Sequence, residues 1–236
     1  MWPFRKSYSL KESGFFESFT DHHSHILPGV DDGVQTVGES LEILHCYGQL
    51  GVKTVWLTPH IMEDIPNTTD GLKRRFEELE ATYRGGITLR LAAEYMLDNL
   101  FEERLKANDL LPMGTKGDHL LVETSLFNPP VNMYHTLERI KAEGLHPVLA
   151  HPERYVYMDE KDYRKLKGMG VKFQMNLFSF TGSYGMEVKK TCKRLLRLGM
   201  YGMAGTDVHS LPTFIRNSRI AVKAPAGLGE IIRHSI

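Results

Sequence analysis

Apolar runs rich in β-branched residues alternate with helical patterns from about residue 18 to residue 206 of the 236-residue chain, and this alternation constrains the fold most. A strand, a helix and a second strand in succession bury their apolar surfaces as a parallel sheet with helices packed outside it. Seven strands are expected, over residues 18–24, 53–58, 87–94, 118–123, 146–150, 171–176 and 200–206. Between them, Thr36 and Glu39 form a capping-box pair before Val37, Leu41, Leu44 and Gly48, which share one helical face. Leu72, Phe76, Leu79 and Tyr83 repeat that spacing behind Asp70 as N-cap, and later helices close at Gly144 and Gly199. Residues 61–69 (IMEDIPNTT) read as a loop. The expected architecture is α/β, a distorted TIM-like barrel of about seven βα units.

Barrels of roughly 200 to 250 residues commonly form one unit, so residues 18–236 are expected to be a single domain, with residues 1–17 as an N-terminal extension. Hydrophobic content of 42% and charged content of 25% allow an ordinary globular core. The 29 basic and 29 acidic residues cancel, so no global positive field exists to hold nucleic acid. Cys46 and Cys192 belong to no Cys-x-x-Cys pair, which argues against a disulfide framework or a thiolate zinc site; free thiols point to the cytoplasm. No apolar run suits a signal peptide or a membrane span.

Metal-competent side chains fall at the strand ends. His23 and His25 close the first strand, His60 follows the second, Glu94 ends the third and Glu123 the fourth; His151 follows the fifth, and Asp207 and His209 follow the seventh. The steps from His25 to His60, Glu94, Glu123 and His151 are 35, 34, 29 and 28 residues, each close to one strand-plus-helix unit. In a closed parallel barrel all carboxyl-terminal strand ends point to one face, so these side chains converge, and Asp32 in the PGVDDG loop joins them. His-x-His places two imidazoles on one side of an extended chain. A lone His on a strand is more often an ordinary buried or surface group; five successive strands ending in ligand-type residues are another matter.

Imidazoles and carboxylates without thiolate suit Mn²⁺, Fe²⁺ or Zn²⁺. Nine candidate ligands exceed the needs of one ion. Three divalent ions against the four carboxylates Asp32, Glu94, Glu123 and Asp207 leave a positive surplus of two, which complements a phosphate monoester dianion.

The segments DHHSHILPGVDDG (21–33), TPHIMED (58–64), AAEYM (92–96), LLVETS (120–125), AHPERY (150–155) and GTDVH (205–209) resemble the PHP (polymerase and histidinol phosphatase) family. Within it they are most similar to the bacterial manganese-dependent tyrosine phosphatases of capsule and exopolysaccharide synthesis. The resemblance implies the PHP fold and a cluster of three Mn²⁺, with Fe²⁺ or Zn²⁺ as substitutes. It assigns His23, His25, Glu94 and Asp207 to one metal; Glu94, Glu123 and His151 to a second; and Asp32, His60 and His209 to a third. Arg154 matches the family arginine that grips phosphate. A second family arginine usually follows the last His, where this chain has SLPTFIRNS and Arg216 is the stand-in. The implied catalytic residues are Arg154, His151 and Asp207, and the implied substrate is a phosphotyrosyl protein, such as a bacterial tyrosine kinase tail.

The expected chemistry is in-line attack on phosphorus by a water whose pKa metals lower toward about 7. Cysteine-dependent phosphate transfer fails on spacing, because Val52 and Leu198 stand where the cradling arginine would follow Cys46 and Cys192. An amidohydrolase would place Lys at Glu123 and His at Asn176. Histidinol phosphate or another small monoester, or phosphotyrosine binding without turnover, are the alternatives.

Overall fold

Strands and helices alternate throughout residues 8–222, the part of the chain that the computed structural model describes. In order they are β1 Tyr8–Ser9, β2 Thr20–Asp21, α1 Val37–Leu50, β3 Thr54–Leu57, β4 His60–Ile61, α2 Thr69–Thr82, β5 Thr88–Leu91, β6 Glu94–Met96 and α3 Asn99–Ala107. Then come β7 His119–Glu123, α4 Met133–Ala142, β8 His146–Ala150, a 3-10 turn Pro152–Arg154, α5 Glu160–Gly168, β9 Lys172–Asn176, α6 Leu177–Thr181, α7 Met186–Arg197, β10 Met203–Gly205, α8 Leu211–Ser218 and β11 Ala221–Val222.

All seven expected strands form, and they pair in parallel in sequence order around a curled sheet. The second and third are each divided. Thr54–Leu57 and Thr88–Leu91 pair in a three-stranded sheet, β2-β3-β5, while His60–Ile61 and Glu94–Met96 continue in a six-stranded sheet, β4-β6-β7-β8-β9-β10. Pro59 sits at one division, where its missing N–H costs no ladder bond and its carbonyl still accepts from Glu94 N at 3.1 Å. First and last strands meet through His22 N to Ala204 O (3.3 Å), Asp207 N to His23 O (2.8 Å) and His25 N to Val208 O (2.9 Å).

Strand alternation sorts the side chains into two layers. Leu120, Val122, Leu149, Phe173, Met175 and Ala204 face the helices and join the large outer core, whereas Leu121, Val148, Ala150 and Met203 join Trp56, Ala92 and Met113 in a separate inner cluster. Each fully buried Leu, Val or Phe contributes about 1.5–3 kcal/mol. On β7 the inward series continues from Leu121 to Glu123, so an apolar barrel floor gives way to acid at the rim.

Helix starts differ in detail from expectation. Thr36 Oγ1 accepts from Glu39 N (3.2 Å), but Glu39 returns no bond to Thr36 and accepts instead from Leu211 N (3.2 Å) of α8. α2 is capped by Thr68, accepting from Gly71 N at 3.1 Å, and not by Asp70, which lies inside the first turn, where its charge favours the helix dipole. Gly144 and Gly199 close α4 and α7 with φ of 81° and 63°.

Residues 8–17 differ from a free extension. β1 pairs antiparallel with β11, and Leu10, Phe15 and Phe16 are buried in the outer core. Residues 1–7 of the expected extension and 223–236 of the expected domain lie outside the described residues. No helix among the described residues is long and apolar enough to cross a membrane.

Candidate metal centre

The carboxyl-terminal strand ends and the loops that follow them bring the nine candidate ligands to one mouth. His23 Nε2 lies 3.0 Å from His25 Nε2 and from Glu94 Oε2, and 3.4 Å from Asp207 Oδ1. His25 Nε2 lies 3.4 Å from Glu94 Oε2 and 3.3 Å from Asp207 Oδ1. His151 Nε2 stands 3.3 Å from Glu94 Oε1 and 3.7 Å from Glu123 Oε2, so Glu94 turns one oxygen to each side. On the outer edge, Asp32 Oδ1 is 3.6 Å from His60 Nε2 and 3.5 Å from His209 Nε2.

Three sets of donor atoms lie within 4.8 Å of one another: His23, His25 and Asp207; His60, Glu94 and Glu123; and His25, Asp32, His60 and His209. His60 therefore stands between two sets, its Nδ1 3.1 Å from Glu123 Oε1 and its Nε2 toward Asp32. The grouping by resemblance gave it to Asp32 and His209 alone.

Close backbone approaches make this convergence possible. A Cβ at Gly205 would sit 2.3 Å from His23 Cβ, and one at Gly33 would sit 2.2 Å from His25 O, so only glycine fits opposite either imidazole. His151 and Asp207 occupy the left-handed region, with φ of 34° and 53°, conformations costly for non-glycine residues and concentrated at functional sites.

Several supporting groups escaped the sequence reading. Asp31 Oδ2 pairs with His25 Nδ1 at 2.9 Å, and Gln174 Oε1 accepts from His23 Nδ1 at 2.7 Å while its Nε2 donates to His22 O at 3.1 Å. Each fixes which imidazole nitrogen faces the mouth. Below them, buried Asp21 accepts from Thr206 N (2.8 Å), Thr206 Oγ1 (2.6 Å) and Tyr47 OH (2.7 Å), tying the first strand to the last. Gln174 and Asn176 were discoverable as an inward-facing i, i+2 pair on the sixth strand. Asp31 was hidden by its neighbour Asp32.

The electrostatics show a site that wants positive charge. Burial works against protonating His23, yet Glu94 and Asp207 outweigh it and hold its pKa up at about 9. Burial opposes charge on Glu94 and Asp207 as well, but His23 and the surrounding imidazoles hold both well below the usual carboxylate range. His60 Nδ1 and Glu94 Oε1 are buried with no hydrogen-bond partner although facing charged groups lie little more than 3 Å away. Donor atoms that confront one another without hydrogen-bond geometry, all nitrogen or oxygen, fit divalent cations of the Mn²⁺, Fe²⁺ or Zn²⁺ type.

Arg154 comes from the turn after His151, whose carbonyl accepts from Arg154 N at 2.9 Å, and its Nη1 donates to Asp207 Oδ2 at 2.9 Å. The same Asp207 oxygen accepts from Asn176 Nδ2 at 2.7 Å. Arg216, in contrast, is exposed in the last turn of α8, and its side chain makes no hydrogen bond or ion pair among the described residues.

Comparisons with known proteins agree with this geometry. The family model described as capsular polysaccharide synthesis, CpsB/CapC, matches residues 19–222. The tyrosine-protein phosphatase YwqE of Bacillus subtilis is 26% identical over 205 residues, covering 82% of this chain and 78% of YwqE. The tyrosine-protein phosphatase CpsB of Streptococcus pneumoniae is 28% identical over 204 residues, covering 81% and 83%. A crystal structure from the pair YwqE and CpsB, described as unique metal-dependent tyrosine phosphatases, superposes with a TM-score of 0.79 at 21% identity and covers 90% of both chains. With the match running through every strand that carries a candidate ligand, this chain belongs to the capsular polysaccharide synthesis CpsB/CapC family.

Proposed function

We propose that this protein is a metal-dependent tyrosine-protein phosphatase that hydrolyses phosphotyrosine in proteins. The observation that carries the reading is the meeting of five imidazoles and four carboxylates at one barrel mouth with Arg154 beside them. The family match and the activity named for YwqE and CpsB support the phosphotyrosine specificity.

His23, His25, Glu94 and Asp207 would hold one ion, Glu94, Glu123 and His151 a second, and Asp32, His60 and His209 a third, with Mn²⁺ the proposed metal. Such a cluster supplies Lewis acidity and lowers the pKa of water toward about 7. The chain's own residues do the rest. Asp31 and Gln174 hold the His25 and His23 rings in one tautomer, Nε2 inward. Arg154 Nε and Nη2 meet no acceptor among the described residues while Nη1 is held by Asp207, which leaves one edge of the guanidinium for phosphoryl oxygens. Asp207 joins the cluster to Arg154 with one oxygen toward each, so cation and phosphate sites share one anchor.

The proposed setting is the cytoplasm, and the proposed substrate is a phosphotyrosyl protein such as the tail of a bacterial tyrosine kinase of capsule or exopolysaccharide synthesis. The test is elemental analysis of the purified protein together with steady-state rates on a phosphotyrosyl peptide, histidinol phosphate and single-stranded DNA, with Mn²⁺ supplied. The peptide is expected to be preferred, and His151→Ala to abolish turnover; preference for histidinol phosphate, or near-normal activity of H151A, would overturn the reading.

A further inference from the structure

The segment GSYG (182–185), between α6 and α7, has no part in the metal cluster, yet it reaches the Arg154 side of the mouth. Gly182 and Gly185 bracket it with φ of 96° and 97°, a turn that other residues would strain. Ser183 Oγ fixes it from within, 2.6 Å from Thr181 Oγ1 and donating to Asn217 Oδ1 of α8 at 2.7 Å. The turn carries the ring of Tyr184 to Arg154, whose guanidinium carbon stands 4.4 Å from the ring centroid. Asn176 Nδ2 donates to Tyr184 OH at 3.1 Å and to Asp207 Oδ2 at 2.7 Å, and Arg154 Nη1 donates to that same oxygen at 2.9 Å. Arg154, Asp207, Asn176 and Tyr184 thus form a closed ring of contacts.

We infer that Tyr184 is a positioning residue for phosphate recognition: its ring covers one face of the Arg154 guanidinium and holds that plane so that the Nε–Nη2 edge meets the phosphoryl group. An arginine held at one nitrogen alone can still rotate about that bond, and a flat aromatic face removes the rotation while adding a cation–π attraction. Pre-orienting the guanidinium in the free protein lowers the ordering cost when phosphate arrives. The contact depends on the ring and not on the phenol oxygen, which Asn176 steadies from the side. This inference rests on the phosphatase reading through its ligand, a phosphoryl group.

The test compares the metal-loaded wild-type chain with Tyr184→Ala, Tyr184→Phe, Arg154→Ala and the double variant Y184A/R154A. Orthophosphate affinity is measured by calorimetry, kcat and KM on a phosphotyrosyl peptide by steady-state kinetics, and metal content by elemental analysis. Y184A is expected to weaken orthophosphate binding and raise KM by roughly fivefold to tenfold, the size of a partly desolvated cation–π contact. Metal content stays at the wild-type level, and Y184F recovers most of the loss. In the R154A background, adding Y184A is expected to cost nothing further, because the ring then has no cation to hold. Equal losses in both backgrounds, a loss of metal in Y184A, or wild-type orthophosphate affinity in Y184A would each overturn the inference while leaving the phosphatase reading intact. A wild-type chain that loads metal but neither binds orthophosphate nor cleaves a monoester would overturn both.

Discussion

Asp31 Oδ2 pairs with His25 Nδ1 at 2.9 Å and also accepts from the main-chain His60 N at 3.1 Å, so one buried carboxylate orients the His25 imidazole and ties down the backbone that carries His60. Burial disfavours its charge, yet the His25 ring and the Gly33 and His60 amides hold its pKa down to about 2. It therefore remains an acceptor throughout the physiological range. Partners of ligand histidines commonly govern metal affinity, and Asp31→Ala is expected to weaken Mn²⁺ binding by about 10- to 100-fold. Calorimetric titration of the metal-free protein would check this; affinity unchanged within twofold would show that His25 needs no such support.

Arg154 and Arg216 separate cleanly in their surroundings. Arg154 is mostly buried against Tyr184 and Asp207, whereas Arg216 is exposed on α8 without a partner among the described residues. Arg154→Ala is expected to raise KM for a phosphotyrosyl peptide roughly tenfold or more, because a charge-assisted contact to phosphate is lost. Arg216→Ala is expected to change it far less. Steady-state kinetics on the two variants would decide, and a larger effect at Arg216 would assign it the role of the second family arginine after all.

What the sequence made legible was periodic. Strand ends about 30 residues apart announced a parallel barrel and its rim, and eight of the nine candidate ligands follow from that spacing, with Asp32 added from the first loop. What stayed hidden depends on geometry between elements. Gln174 serves His23 across 151 positions, and Asp21 serves Thr206 across 185, distances no local pattern reports. The division of the second and third strands was equally invisible, since Thr58–Pro59 and Ala92–Ala93 continue the apolar runs while the chain passes from one sheet to the other.

Proton linkage follows from His23. In the metal-free chain Glu94 and Asp207 overcome the cost of burial and hold its pKa at about 9, above the ordinary 6.5. The ring is thus protonated near neutrality and must lose that proton to become a ligand. Loading is expected to strengthen as pH rises toward about 9 and to release about one proton or more per protein at neutral pH. For the metal-free fold the sign is reversed. A raised folded pKa gives stability that is fully present below 6.5 and is lost as pH rises through about 9. Calorimetry in two buffers of different ionisation enthalpy would reveal the release, and identical apparent enthalpies in both would contradict it.

Phe16 shows why residues 8–17 behave as part of the core. The segment FFESF places Phe15 and Phe16 four and three residues before Phe19, a spacing too short to mark an element by itself, yet Phe16 is 1% exposed. Its ring meets Phe15, Phe19 and Phe214 at centroid distances of 5.4, 5.8 and 5.9 Å, all edge-on. Phe214 lies on α8, directly after the strand that delivers Asp207 and His209, so this aromatic cluster braces the last βα unit from outside. Phe16→Ala is expected to destabilise the fold by about 3–5 kcal/mol, the usual cost of emptying a buried aromatic site. Urea unfolding monitored by circular dichroism would measure it. A loss within about 0.5 kcal/mol, the range of substitutions at plain surface positions, would mean that the segment does not pack on the barrel in solution.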